Sequence, residues 1–293
     1  MSSTREERRI KQRSAKPSHE EPPAFRISIR SWCIGLFLIC LAIELGLVAC
    51  DAVITYGKAT DLGMIRRLFN ITREDGVASW FAVTQTAFVA LTTWAVVAVV
   101  RRQEGRSSRR VVGWVMIALF FSYMSMDDGS KFHERIGSAV KKISQEKEDS
   151  ESSKPSEPSL LTALIETFPS YGWQLVFLPF FVGAGLFMLF FMKREFHGPG
   201  LLLMFIAALA LYGFAVALDF VEGMEPEHPL NIHEHIRAAF DLRMYTVRHF
   251  SKSLEEFIEM LATTMLWVVF LTHLTQVAPN IRIEFQRSVS ASA

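Results

Sequence analysis

The residues with chemistry in them are carboxylates gathered at one end of an otherwise apolar chain. Asp127, Asp128 and Glu134 follow one apolar run, Asp219 and Glu222 close another, and Glu255, Glu256 and Glu259 open a third. A carboxylate in or beside hydrocarbon is costly, turns inward and needs a cation, a metal or a proton. With a helical step of 100°, Asp127, Ser130 and Glu134 fall within about 60° of one another, with Lys131 beside them and His133 on the opposite flank of Ser130. Asp219 and Glu222 are spaced i, i+3, with Tyr212 two turns below on the same face. Glu255 and Glu259 are spaced i, i+4, with Glu256 and Thr263 on the same broad face. Three helix ends thus offer several oxygens and an imidazole at one depth, and Glu44, Asp51 and Gln85 are placed to join them.

Carboxylates with an imidazole suit zinc, manganese or iron. The expected ligands of such a divalent ion are Asp127, Asp128, His133, Asp219, Glu222 and Glu255. The matching chemistry is hydrolysis of a lipid-like substrate by metal-bound water, with Glu134 or Glu259 as general base. The same residues admit two other readings. In one, Lys131, Arg135, Arg243, Arg248 and Lys252 pair with the acids in a structural ionic cluster. In the other the acids form an ion or proton path, with Glu44 at mid-membrane as its best support. Ser253-Leu254-Glu255-Glu256 has the capping-box pattern, which assigns Glu256 to the start of a helix. His228, His233, His235 and His249 lie in the same long connection. His233 and His235 share a face only if the backbone there is extended. His197 and His273 fall at the far ends of their runs, where an interfacial place is expected.

The elements that must position these groups are membrane spans. Apolar runs long enough to cross a hydrocarbon core cover Ser31–Tyr56, Ser79–Val100, Val111–Met126, Trp173–Met192, Leu201–Val221 and Phe257–Leu274, the third needing part of its flanks. The sequence therefore predicts an all-α, six-span bundle in a single unit over 26–278. Outer loops fall at 128–170 and 222–253, with a disordered basic tail at 1–25 and a second tail at 279–293. Arginines and lysines crowd the segment before the first run, the 101–110 connection and Lys193-Arg194, which puts both termini in the cytoplasm. The Lys58–Gly76 connection then lies outside despite Arg66, Arg67 and Arg73. Gly129 is the expected bend between the third span and an interfacial helix carrying Phe132, Ile136, Val140 and Ile143. A second amphipathic stretch, Ile232–Phe250, is expected on the outer surface before the sixth span.

A formal net charge of +1 leaves no nucleic-acid footprint. Cys33, Cys40 and Cys50 all lie in the first run, where burial and not a disulfide framework is expected. Leu47-Val48-Ala49-Cys50 has the form of a lipoprotein cleavage box, but the long basic segment before it and the interrupting Glu44 argue against processing. Asn70-Ile71-Thr72 is a formal glycosylation sequon of a kind frequent by chance. No Gly-rich phosphate loop and no Ser/His/Asp nucleophile pattern is present.

At its acidic stretches the chain resembles a group of uncharacterised bacterial polytopic membrane proteins. The shared features are Ser79-Trp80-Phe81 at the second span, Ser125-Met126-Asp127-Asp128 through His133-Glu134 after the third, and Glu255-Glu256-Phe257-Ile258-Glu259-Met260 at the last. Asp128 stands where that group has Glu, and Ala78 where it has Pro. The resemblance implies a bacterial cytoplasmic membrane and carries no activity. The metal-dependent membrane hydrolases of the ceramidase and progestin-receptor type also gather His, Asp and Ser at one membrane face. This chain lacks their three spaced histidines, so the likeness is an analogy.

Overall fold

In the computed structural model the described residues are 29–105, 108–133, 135–139, 142, 170–224 and 227–279. Six of its helices are long and apolar enough to cross a membrane. They are α1 (Ile29–Thr55), α3 (Val77–Glu104), α4 (Arg109–Ser130), α5 (Gly172–Glu195), α6 (Pro199–Glu222) and α8 (Met244–Val277). The short helices α2 (Gly63–Phe69) and α7 (Ile232–Phe240) lie in the connections. No strand occurs among the described residues. The six helices run alternately up and down, so Thr55, Val77, Ser130, Gly172, Glu222 and Met244 share one end, here the acid end. Arg30, Glu104, Arg109, Glu195 and Pro199 share the other.

The last helix is the hub, since α8 packs along α6, α3 and α1, and α3 packs along α4. Helix α5 stands off, touching α4 and α6 at few points. Pro179 lies inside α5 and removes a backbone donor there, and Gly183 and Gly185 follow a turn later. The dry core fills the half of the bundle away from the acids. Trp114, Ile117, Met192, Phe205, Leu266 and Phe270 are enclosed there. A polar latch closes that end. Glu195 accepts both of its bonds from Arg110 Nε (2.8 and 2.9 Å) and a third from Trp114 Nε1 (3.0 Å). Trp114 stacks on His273, which is fully enclosed with its Nε2 3.7 Å from Glu195. The interfacial place expected for His273 is thus a buried one inside the bundle.

Three local expectations need correction. Helix α4 passes straight through Gly129, and the chain turns at Lys131, whose left-handed backbone (φ 53°) caps the helix. Helix α8 starts at Met244, so Ser253 is mid-helix and the capping-box reading of Glu256 fails. No Gly or Pro lies between Met244 and Ser253 to interrupt the helix, which overrides the local cap signal. The amphipathic stretch before the last span is in turn broken at Asp241 (φ 49°) into α7 and the first turns of α8. Cys33 and Cys40 are buried, whereas Cys50 is exposed on the lipid-facing side of an unbroken α1. Val140, Ile143, the 145–159 stretch and both tails lie outside the described residues.

Candidate functional site

Between α5 and the other helices, above the dry core, lies a cavity of about 590 Å³. Its upper wall is charged. Asp127 and Asp128 arrive from α4, His133 from the turn after it, Asp219 from α6, and Glu255, Glu256 and Glu259 from α8. Its lower wall is apolar, built from residues such as Phe121, Phe181, Leu186, Leu209, Val216 and Leu266. Three acidic helix ends read from the sequence therefore do converge. Of the expected residues, Asp127, Asp128, His133, Asp219, Glu255 and Glu259 line the cavity. Glu222 does not, and Glu134 lies outside the described residues.

The best-defined pair is Asp127 with His133. Asp127 is 1% exposed, and its Oδ1 accepts the backbone N–H of His133 at 2.9 Å while its Oδ2 meets His133 Nδ1 at 2.6 Å. The left-handed turn at Lys131 brings the two together across six residues. The imidazole stands edge-on to Trp173, ring centroids 4.6 Å apart, with Phe177 and Phe181 behind. With Nδ1 fixed on the carboxylate, the ring presents Nε2, which has no partner among the described residues, and the residue lines the cavity. A carboxylate–imidazole arrangement of this kind can orient a general base.

Four of the other acids, Asp128, Asp219, Glu255 and Glu256, meet protein donors. Asp128 Oδ2 accepts from Thr86 at 3.0 Å. Lys252 Nζ lies 2.6 Å from Glu255 and 3.9 Å from each of Glu256 and Asp219, so one ammonium is shared among three acids. Asp219 also accepts from Gln174 Nε2 at 2.9 Å. Lys131 pairs with Glu74 at the rim. Tyr212 and Thr263 share a 2.5 Å hydrogen bond deeper in the cavity. Tyr171, the N-cap residue of α5, packs against the closing turn of α6, where burial pushes its phenol above the usual range and the Glu222 and Asp219 carboxylates add to it.

Seven carboxyl groups line the cavity beside three cationic side chains, Arg73, Lys131 and Lys252. Among the described residues no three His, Cys, Asp or Glu side chains lie together as the ligands of one ion. Both Asp127 oxygens are spent on His133, and one oxygen of Glu255 on Lys252. The described residues therefore do not fit the expected divalent ion.

Glu44, Asp51 and Gln85 do not join the cavity. They occupy the opposite seam, where α1 meets α3 and α8. Glu44 is fully enclosed, its Oε1 accepting from Gln85 Nε2 (2.9 Å) and Thr264 Oγ1 (2.6 Å) while its Oε2 is bare. Nearer the acid end, Asp51 accepts from Thr55 (3.0 Å) and Ser253 (3.3 Å) and lies 3.5 Å from His249 Nε2, with the His249 Nδ1 bonded to Tyr56 (2.9 Å). Burial pushes the Tyr56 phenol above its usual range.

The profile of a domain of unknown function, DUF8692, matches residues 33–274. The chain belongs to the DUF8692 family. That match runs from within the first span to within the last, so the cavity, the dyad and the Glu44 seam all lie inside the DUF8692 region. No curated protein and no solved structure matches this chain.

Sequence reasoning missed the contribution of α5. Trp173 and Gln174 stand at its acid-end start, and only the aromatic-rich register of that helix could have drawn attention to them. Thr86 was equally hidden, being one of several threonines along α3.

Proposed function

We propose that this DUF8692 protein binds a lipid-like amphiphile with a cationic head in its membrane-embedded cavity. The acidic end would face the outside of a bacterial cytoplasmic membrane, with both termini inside. One observation carries the reading: a single cavity is apolar in its lower wall and lined in its upper one by more carboxyl groups than cationic side chains. A walled patch of one charge sign in low dielectric concentrates the opposite charge, and an apolar wall takes an alkyl chain. The sparse packing of α5 offers the chain a lateral way in from lipid.

The dyad gives this site its chemistry. His133, oriented by Asp127, takes a proton from a water attacking an ester or amide of the bound amphiphile. The bond to the leaving alcohol or amine breaks, and the imidazolium returns the proton to it. Glu259, lower in the same wall, is the second acid–base candidate.

The test is binding of n-alkylamine, n-alkanol and n-alkanoate of equal chain length to the detergent-solubilised full chain, read by Trp173 fluorescence against Trp173→Phe. Amine binding at least tenfold tighter than the alcohol supports the reading, and equal binding of all three overturns it. His133→Ala that keeps amine binding but loses hydrolysis of a long-chain ester bearing a quaternary ammonium head assigns the base.

One observation favours a second reading, an ion or proton path. Glu44 is a fully enclosed carboxylate at mid-span with no basic side chain bonded to it. Ion or proton flux in proteoliposomes that disappears in Glu44→Gln would support transport, and unchanged flux, or none in wild type, ends it.

A further inference from the structure

A second concavity opens on the outside of the bundle at the acid end. It measures about 260 Å³ and its wall includes Arg66, Arg67, Arg73, Asn70, Thr55 and Tyr245. Three guanidiniums meet here with one carboxylate at hand. Asp75 pairs with Arg67 and, at 3.1 Å, with Arg73, and these bonds hold its carboxyl below the usual range. The Arg66 guanidinium has no hydrogen-bond or ion-pair partner among the described residues, its backbone N–H alone being bonded, to the Leu62 carbonyl. Asn70 Oδ1 is spent on the Thr72 amide (2.9 Å) and hydroxyl (2.7 Å), which fixes its side chain and leaves its NH₂ group to donate.

The surroundings indicate where this pocket sits. Helix α2 has no buried residue, and Leu62, Met64 and Leu68 are 63%, 87% and 45% exposed. Trp80, Tyr245 and Phe250 are exposed at the same end of the bundle. An apolar helix face beside arginines and ringed by aromatics is the pattern of a segment lying in the headgroup boundary of a bilayer. Guanidinium forks match phosphate oxygens two at a time. The volume suits a headgroup and not a whole lipid, whose chains would lie along the apolar face of α2.

We propose that Arg66, Arg67 and Arg73 hold the phosphodiester of an anionic phospholipid at the lip of the main cavity, where Arg73 lines both concavities. This site goes beyond the amphiphile reading and stands without it.

Native mass spectrometry of the full chain in detergent, titrated with phosphatidylglycerol, phosphatidylcholine and inorganic phosphate, tests the assignment. Phosphatidylglycerol is expected to be retained over phosphatidylcholine, and Arg66→Ala to weaken it about fivefold, the value of one arginine at an anionic surface. Arg66 breaks no pair when replaced, so its variant keeps the fold; Arg66→Ala/Arg73→Ala is expected to lose the preference altogether. Equal retention of the two lipids, or Arg66→Ala binding like wild type, overturns the site. Displacement of phosphatidylglycerol by millimolar inorganic phosphate overturns the lipid as its source.

Discussion

Filling the cavity should weaken amphiphile binding while strengthening the fold. Gly185 on α5 and Gly213 on α6 both line it, and a Cβ added at either meets no atom within 4 Å. Gly213→Leu therefore places an isobutyl group in open space. It removes room for about four carbons of a bound chain, at about 0.8 kcal/mol for each methylene kept from burial. With partial rearrangement the loss is about 1.5–3 kcal/mol, or about ten- to a hundredfold in Kd. Replacing a helical glycine also favours the helix by about 0.8 kcal/mol, so thermal stability should rise or hold. Gly183→Leu is the control, because its Cβ is equally unobstructed and it is not part of the cavity wall. The assay is calorimetric titration with n-alkylamines of increasing length, alongside thermal denaturation. The Gly213→Leu penalty should vanish for chains about four methylenes shorter. Equal losses in Gly213→Leu and Gly183→Leu, or a loss independent of chain length, would refute the reasoning.

Three further outcomes are expected. Glu195→Ala strands Trp114 Nε1 in the core and leaves Arg110 only Glu104, at about 2–4 kcal/mol, with Glu195→Gln milder; denaturation in mixed micelles measures it. Gly137→Ala sets a Cβ 2.6 Å from Trp173 Cα, displacing the start of α5 from His133, and a red-shifted Trp173 emission is the readout. Burial, with the Arg248 charge beside it, holds the His233 imidazole below its usual range. The folded state then binds fewer protons than the unfolded one. Its contribution is complete above about pH 6.5 and is lost as pH falls through the folded value. Hydrogen-exchange protection of α7 should drop on acidification in wild type and stay flat in His233→Asn.

The spans were legible because hydrocarbon thickness sets their length, and the end of the bundle bearing the acids followed from their alternating direction. Which acids face one another was not. Asp127 and Asp51 are both buried acids near the acid end, yet one meets His133 in the cavity and the other His249 on the α1–α8 seam. The difference depends on how each helix is rotated, and uniformly apolar faces leave that rotation unmarked. The Glu195–Arg110 latch joins residues 85 apart, a separation that local patterns do not span. Ser253 was misread because a cap signal is local, while the helix through it is set by packing along α1, α3 and α6.

The order in which the chain is made bears on how the bundle comes together. The hub, α8, is the last of the six spans to leave the ribosome, and its contacts reach back 220 residues to Glu44, 202 to Asp51 and 193 to Tyr56. Until it inserts, Glu44 lacks Thr264, and α1, α3 and α6 lack the surface they pack on. The first five spans must therefore wait in the bilayer with α3 and α4 paired, and with Glu44 holding only Gln85. Consolidation is then post-translational and non-local, a slow class of folding step. A chain cut before Met244 would leave the insertion machinery with every earlier helix present, the α3–α4 pair formed, and α1 and α6 without the helix they pack on.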